Sequence, residues 1–396
     1  MTSTVLISNP KISGTIRETA FYQAMSLGQT RPILLIGHSD APTGDSPYRV
    51  TSLKEAINWM QADSQSPLLR ATLEAYNGGC RDIWLYSIGP MSEYRSDLTS
   101  RNVVDAELGN KTFYELYHER LTEAYSLIEN YDTFQIIVPV EASFCETSDI
   151  DFATPLAQLC ANIFTKSSSS AMGVLGTRSV QYNQALFDEI SNDSTLSTIG
   201  SIGKNIMVVM GEGVMLNQQM SATYSTSVAV QVASLLATVP LSRSIFGIRL
   251  SSVAGLVGFD LKESQIKQLA ESKINPVLRT QRGKRGQTFE TWLKTDNTLA
   301  PDGSDFWSIN QVRVVSDIVN TLKSYSHAYI GSIATESFKQ LVIDYLELLV
   351  KKEEIRGYNM DIKFAPRSGS AKITLAIAPI FSIRNIYFTV ETGPGS

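Results

Sequence analysis

The chain has 396 residues, 43% hydrophobic and 18% charged, and 34 Lys plus Arg against 39 Asp plus Glu leave a formal charge of −5. That length exceeds one ordinary core and that composition is globular, so two or three domains are expected and a disordered chain is excluded. Without a basic block the chain lacks the footprint of a nucleic-acid binder, whose affinity comes largely from Lys and Arg on phosphates. The first ten residues carry no basic stretch and only the apolar run Val5, Leu6, Ile7, too short for an export signal. The longest apolar tract, 228–240, is broken by Gln231, Ser234 and Thr238 and falls short of the ~20 residues that span a bilayer. A soluble chain without membrane insertion is expected. Cys80, Cys145 and Cys160 form no CxxC pair, so they read as core thiols rather than a disulfide or zinc framework.

Residues 2–19 read as an extended arm around the strand candidate 5–7. From 32–37 onward, apolar runs alternate with helical stretches: strands at 32–37, 82–88, 133–140, 171–176 and 205–210, and helices at 52–60, 67–76, 111–130, 151–165 and 222–238. Asn77-Gly78-Gly79 supplies residues that tolerate positive φ before the second strand. Strands apolar on both faces need cover on both, which predicts a largely parallel α/β sheet over 32–241. A connector, 242–263, a helix, 264–272, and a hairpin of 276–281 and 287–294 around the basic turn 282–286 follow. The last hundred residues differ: helices at 311–329 and 336–356, the second capped by Gly357, precede period-two strands at 358–364, 373–377 and 383–391. The fold class is α/β plus α+β: an outer α/β domain with a largely parallel sheet, a smaller C-terminal α+β domain with antiparallel strands, and extended terminal arms.

The search for chemistry returns little. Of His38, His118 and His327, His118-Glu119 lacks the second His of a zincin, Thr122 standing in its place. His38 follows a strand and a glycine with no nucleophile or acid motif beside it, so its replacement by Ala, like that of the loop acids, is expected to change assembly by no more than a few tenths of a kcal/mol. Gly211-Glu-Gly213 has Leu216 where a dinucleotide loop wants Gly or Ala and reads as a turn. Glu141, Glu146, Asp149 and Asp151 lack EF-hand spacing and read as helix-capping acids in a solvated loop. No catalytic residue, cofactor or metal site is expected. The competing reading is an α/β enzyme or small-molecule-binding protein with a degenerate site.

Several segments together resemble the tail sheath proteins of contractile-tailed phages and related contractile injection systems. They are Pro32-Ile-Leu-Leu-Ile-Gly37, Val50-Thr-Ser-Leu-Lys-Glu-Ala56 and Tyr76-Asn-Gly-Gly-Cys-Arg81, then Val228 to Thr238, Leu261 to Ser264, Ile274-Asn-Pro276 and Trp307-Ser-Ile-Asn310. A long helix, Arg356-Gly357-Tyr358, and strands to Ile386-Tyr-Phe-Thr-Val390 complete the order. Thr291-Trp-Leu-Lys294 departs from it, standing where the family often has aromatic-Gly-x-Arg.

The resemblance implies a virion structural protein, not an enzyme. Copies would form hexameric rings stacked helically around an inner tail tube protein and contract from a high-energy extended state for host cell entry. Baseplate and tail terminator proteins would be further partners, and the location a virion tail assembled in the host bacterial cytoplasm. The implied organisation is an arm at 1–25, an outer α/β domain at 26–245, a connector and hairpin region at 246–300, an inner α+β domain at 301–380 and a strand arm at 381–396. Strand exchange between neighbours is expected at Val5, Leu6 and Ile7 and at Ile386, Phe388 and Val390. Matching by position puts Lys351 and Lys352 at the tube-facing contact, on the open face of their helix with Asp344 and Glu347.

Overall fold

A computed structural model of the chain describes residues 3–5, 30–41, 43–44, 46–60, 66–90, 104–105, 109–142, 150–177, 199–217, 222–250, 253–257, 261–282, 288–329, 335–365 and 370–380. The strand β1 (Ser3–Val5) comes first. Then come β2 (Ile33–Gly37), β3 (Tyr48–Arg49), α1 (Leu53–Met60), α2 (Pro67–Asn77), β4 (Ile83–Ser87), α3 (Phe113–Ile128), β5 (Ile136–Pro139), α4 (Ala153–Ser167) and β6 (Met172–Thr177). A 3-10 turn over Gly200–Asn205 leads into β7 (Ile206–Met210), β8 (Glu212–Asn217), β9 (Ala222–Ser227) and α5 (Ala229–Thr238). The remainder is β10 (Val253–Val257), α6 (Glu263–Glu271), β11 (Ile274–Arg282), β12 (Thr288–Leu293), α7 (Ile309–Tyr329), α8 (Thr335–Lys351), β13 (Ile355–Ala365) and β14 (Ser370–Pro379).

Eight strands form the main sheet in the order β12-β11-β7-β6-β5-β2-β4-β3. The six inner strands pair in parallel, and β3 and β12 close the edges antiparallel. Alternation of side chains along β2 explains the layers. Ile33 and Leu35 enter a core with Leu68 and Leu73 of α2 and Val232 and Leu236 of α5. Leu34 and Ile36 enter the opposite core with Tyr114 and Leu121 of α3 and Leu156 and Ile163 of α4. A strand apolar at every position is thus read from both sides.

The C-terminal helices and hairpin build a third core: Val314, Ile318 and Leu322 of α7, Val342, Leu346 and Leu349 of α8, Ile355 of β13, and Ile373 and Leu375 of β14. Ile309 and Val312, one turn earlier on α7, belong to the core of α2 and α5. A single helix is therefore common to both regions. Two small sheets complete the molecule, ordered β1-β14-β13 and β10-β8-β9.

Several expectations are corrected. The segment 222–238 is not one helix: Ala222–Ser227 is β9, paired antiparallel to β8, and the helix starts at Ala229. Gly211-Glu-Gly213 is accordingly the entry to β8 rather than a turn alone, and the connector contributes β10, which pairs to the other side of β8. The helix expected to 356 stops at Lys351, because Ile355 is needed in the third core opposite Pro379. Glu353 makes the left-handed turn at φ 57°, and Gly357 lies in β13 at a register shift instead of capping.

In Asn77-Gly78-Gly79 the glycines differ in role. Gly79 takes φ 95°, as expected, whereas Gly78 is needed for space. A Cβ on Gly78 would stand 2.6 Å from the Ser234 Cβ of α5. Gly78→Ala should force α2 and α5 apart and lower the stability by about 1–3 kcal/mol, read as a lower urea midpoint at unchanged slope.

Candidate assembly surface and the joint behind it

In an open α/β sheet, ligands bind at the carboxyl ends of the strands where the winding reverses. Here that place lies between β2 and β5, since β4 and β5 flank β2 on opposite sides. It is filled. His38 is buried, its Nδ1 3.2 Å from the Gly89 carbonyl, its ring centroid 5.2 Å from that of Tyr117 and 6.3 Å from that of Phe113. Ser39 Oγ donates to Ser87 Oγ at 2.9 Å, Ser87 Oγ donates to the Ala41 carbonyl at 2.8 Å, and the Tyr117 hydroxyl donates to the Val140 carbonyl. The cavity remaining beside Arg70, Val140, Glu141 and Thr226 holds about 10 Å3, room for about one water. Among the described residues, no three His, Cys, Asp or Glu side chains are grouped to hold a metal ion.

Asp151 behaves as expected: its Oδ1 accepts from Ala153 N at 2.8 Å and Thr154 N at 3.0 Å at the start of α4. Glu146 and Asp149 lie outside the described residues. Cys80 and Cys160 are buried thiols, pushed up by burial to about 11 and about 12 respectively, and Cys145 lies outside the described residues. No helix among the described residues is long and apolar enough to cross a membrane. For the stability of the fold, His38 matters through its burial against two rings. His38→Ala should lower stability by about 2 kcal/mol through the cavity and the lost hydrogen bond, measured by denaturant unfolding.

The C-terminal hairpin presents strand edges instead of a pocket. β14 pairs along its length with β13, from Ile355 opposite Pro379 to Ala365 opposite Ser370. On its other side it carries β1, with Ser3 opposite Leu375 and Val5 opposite Ile373. Among the described residues no strand pairs with the outer edge of β13, eleven residues long. One face of the hairpin, Tyr358, Met360, Ile362, Phe364 and Ile377, packs on the helices, and the other shows Asn359, Asp361, Lys363 and Lys372.

Val5 is thus a strand residue in antiparallel register on its own chain. The described part of the strand is 3–5, and Leu6, Ile7, Ile386, Phe388 and Val390 lie outside the described residues. Lys351, the last residue of α8, and Lys352 after it are exposed, as are Asp344 and Glu347. Lys352 lies close enough to Glu354 to stabilise its carboxylate, against a burial that raises the carboxyl above its ordinary value.

Behind this hairpin, buried polar groups fasten α7 to the α/β body. Arg313, wholly buried, donates from Nη2 to the carbonyls of Pro240 at 2.6 Å and Arg243 at 2.7 Å. Arg31 donates from Nη1 to Leu236 O at 3.3 Å and Val239 O at 3.2 Å, and its Nε pairs with Asp317 of α7 at 3.3 Å. Arg31 thus meets the carbonyl-rich end of α5, where the helix dipole is negative, and Arg313 meets carbonyls of the segment that follows it. Burial, with Arg31 nearby, lowers the Arg313 guanidinium to about 9, still charged at neutral pH.

Asp296 adds a second tie, accepting at Oδ2 from Ser308 Oγ at 2.7 Å and Ser244 Oγ at 3.1 Å. Asn275 on β11 uses its whole amide: Nδ2 donates to Val208 O and Asn297 O, both at 2.8 Å, while Oδ1 accepts from Thr295 Oγ1 at 2.8 Å and Asn297 N at 2.6 Å. Sequence reasoning passed over Arg313, although Ile309, Arg313, Ser316 and Asn320 recur at helical spacing on one face. Ser316 Oγ lies 2.8 Å from Ser170 Oγ, and Asn320 Oδ1 accepts from Ser170 N at 2.7 Å. That polar stripe was the available signal. Arg313→Ala should remove about 3 kcal/mol by stranding two carbonyls and opening a cavity, measured by denaturant unfolding.

The sequence matches no protein-family model and no curated protein. Solved structures do match. A chain of the anti-feeding prophage (AFP) baseplate aligns over 98% of this chain and 100% of its own at TM-score 0.64 and 11% identity. The sheath of an extracellular contractile injection system, the PVC sheath complex in its contracted state, aligns over 98% of both chains at TM-score 0.63 and 12% identity. A sheath tail protein from Listeria innocua aligns over 94% of this chain and 97% of its own at TM-score 0.60 and 11% identity.

The fold is that of a contractile sheath protein. The likeness runs from the α/β body through the connector into the C-terminal hairpin, so the quoted segments that lie among the described residues sit in one sheath fold. Two of them have physical roles in it. Ile274-Asn-Pro276 carries the Asn275 amide, and Trp307-Ser-Ile-Asn310 carries Ser308 and starts α7.

Proposed function

We propose that this chain is a structural subunit of a contractile sheath, polymerising as stacked hexameric rings around an inner tube and contracting to drive that tube through a target cell envelope. The carrying observation is the whole-chain sheath fold together with a C-terminal sheet that takes the N-terminal strand on one edge. In the proposed assembly, β14 receives the β1 of a neighbouring copy in the register Ser3 opposite Leu375 and Val5 opposite Ile373, replacing the chain's own strand. Residues 6–29 could reach at most ~80 Å if fully extended, ample for a neighbouring copy. The C-terminal arm, with Ile386, Phe388 and Val390, takes a second edge, the outer edge of β13, which no strand pairs among the described residues. Leu6 and Ile7 extend the N-terminal ladder.

The α/β body, about 26–245, lies outermost and the α+β part, 301–380, next to the tube, with 246–300 between them and arms at 1–25 and 381–396. Lys351 and Lys352 face the tube. Exposed charge pairs suit that contact, each worth roughly 0–1 kcal/mol and weakened by salt, so the sheath holds when extended and releases on contraction. Baseplate and terminator proteins cap the two ends, in a virion tail or a related injection machine assembled in the bacterial cytoplasm.

Negative-stain microscopy of the purified chain tests the reading: tubes of stacked rings support it, and uniform monomers at high concentration refute it. Deleting residues 1–19 should leave a soluble monomer, and tubes of ordinary appearance from that truncation would show that β1 is not the link. Reversing Lys351 and Lys352 together to Glu should impair assembly on the tube while leaving tube-free sheath intact, checked by co-sedimentation with tube protein.

A further inference from the structure

Beneath the sheet β10-β8-β9 lies a carboxyl that no assembly role explains. Glu74 of α2 is buried, and its Oε2 accepts from Gln231 Nε2 of α5 at 2.7 Å. The same Nε2 is 3.4 Å from Met215 Sδ of β8, which fixes the amide's orientation. Two acceptors are left over: Glu74 Oε1 and Gln231 Oε1 are both buried without a hydrogen-bond donor. An ionised carboxylate cannot repair this, because it adds only acceptors.

We propose that Glu74 is held protonated, closing a two-bond acid–amide ring with Gln231, and that loss of this proton loosens the β8–β9 hairpin from the α2–α5 layer. With Nε2 already donating to Oε2, an O–H from Oε1 to Gln231 Oε1 satisfies both orphans at once. Ionisation removes that donor and leaves a charge where burial is costly.

The groups facing the carboxyl agree. Burial pushes it up to about 8; hydrogen bonding from Tyr224 of β9 and from Gln231 lowers it, Glu141 after β5 raises it, and Arg70 of α2 lowers it. Arg70 sits with its guanidinium carbon 5.0 Å from the Tyr224 ring centroid, and burial raises that phenol too, so Tyr224 stays neutral. Met215 and Tyr224 pack on the core containing α2 and α5, so the hairpin lies directly over the pair.

The sign follows from linkage. Docked, the carboxyl titrates near 8; opened to water, near its ordinary 4.5. The contribution of its proton to docking is complete below the ordinary value, is lost as pH rises between the two, and changes no further above about 8. The hairpin's opening equilibrium should therefore rise by up to about tenfold per pH unit within that window.

Hydrogen exchange of the full chain, corrected for intrinsic pH dependence, reads this directly from peptides covering β8 and β9. Wild type should show the rise and Glu74→Gln, which keeps a neutral two-bond pair with Gln231, should show a flat profile. Equal pH dependence in the two proteins overturns the proposal. Should the variant fail to fold, infrared spectroscopy of the wild type decides alone. A carboxylic-acid C=O stretch must persist at neutral pH, where exposed carboxyls are ionised, and vanish in alkali. Its absence at neutral pH overturns the proposal.

Discussion

A guanidinium with no exposure to water fastens α7 to the α/β body, and the position of everything C-terminal to it follows from that contact. Apolar surfaces alone would hold a helix without fixing its rotation or depth, because burial is indifferent to direction. Two short bonds from Arg313 to the carbonyls of Pro240 and Arg243 do fix them. Shifting α7 would leave those carbonyls and the cation unpaired in the interior, a penalty of several kcal/mol. Since α7 contributes Ile309 and Val312 to one core and Ile318 and Leu322 to another, the hairpin β13–β14 moves with the body.

The interior uses two different solutions for a buried ionisable group, and the neighbours decide which. Arg313 remains charged because it faces carbonyl oxygens, with Asp317 and Asp296 raising its affinity for the proton. Glu74 faces a primary amide and a phenol, which can pair with a neutral acid as well as with a carboxylate, so burial tips it towards neutrality. The first locks a helix across regions. The second sits under the small sheet β10-β8-β9.

How far the sequence could be read depended on the range of the interaction. The strands β2, β5 and β7 were legible because both faces of each are buried, which leaves an unbroken apolar run. The hairpin β13–β14 was legible from its period of two. β9 was not, since Ala222–Ser227 runs into α5 and declares itself a strand only through its pairing with β8. β10 likewise exists because it reaches back to Val214 and Met215 from the connector. The surroundings of His38 were hidden for the same reason: its neighbours in sequence say nothing of Phe113 and Tyr117, which reach it from α3.

The edge itself limits how such a chain can polymerise. β1 on its own β14 and β1 on a neighbour's β14 make the same ladder, so exchange conserves those hydrogen bonds and supplies almost no net driving force. An occupied edge also protects the single chain from indiscriminate pairing. The outward face of β13, with Asp361 paired to Lys363 at 3.2 Å, adds charge that a wrong strand would have to desolvate. In the proposed sheath, the free energy of growth must then come from contacts other than the exchanged strand, and the barrier from opening it. In that proposed sheath, a chain joins fastest where a template already holds an open edge, at the end of the growing tube.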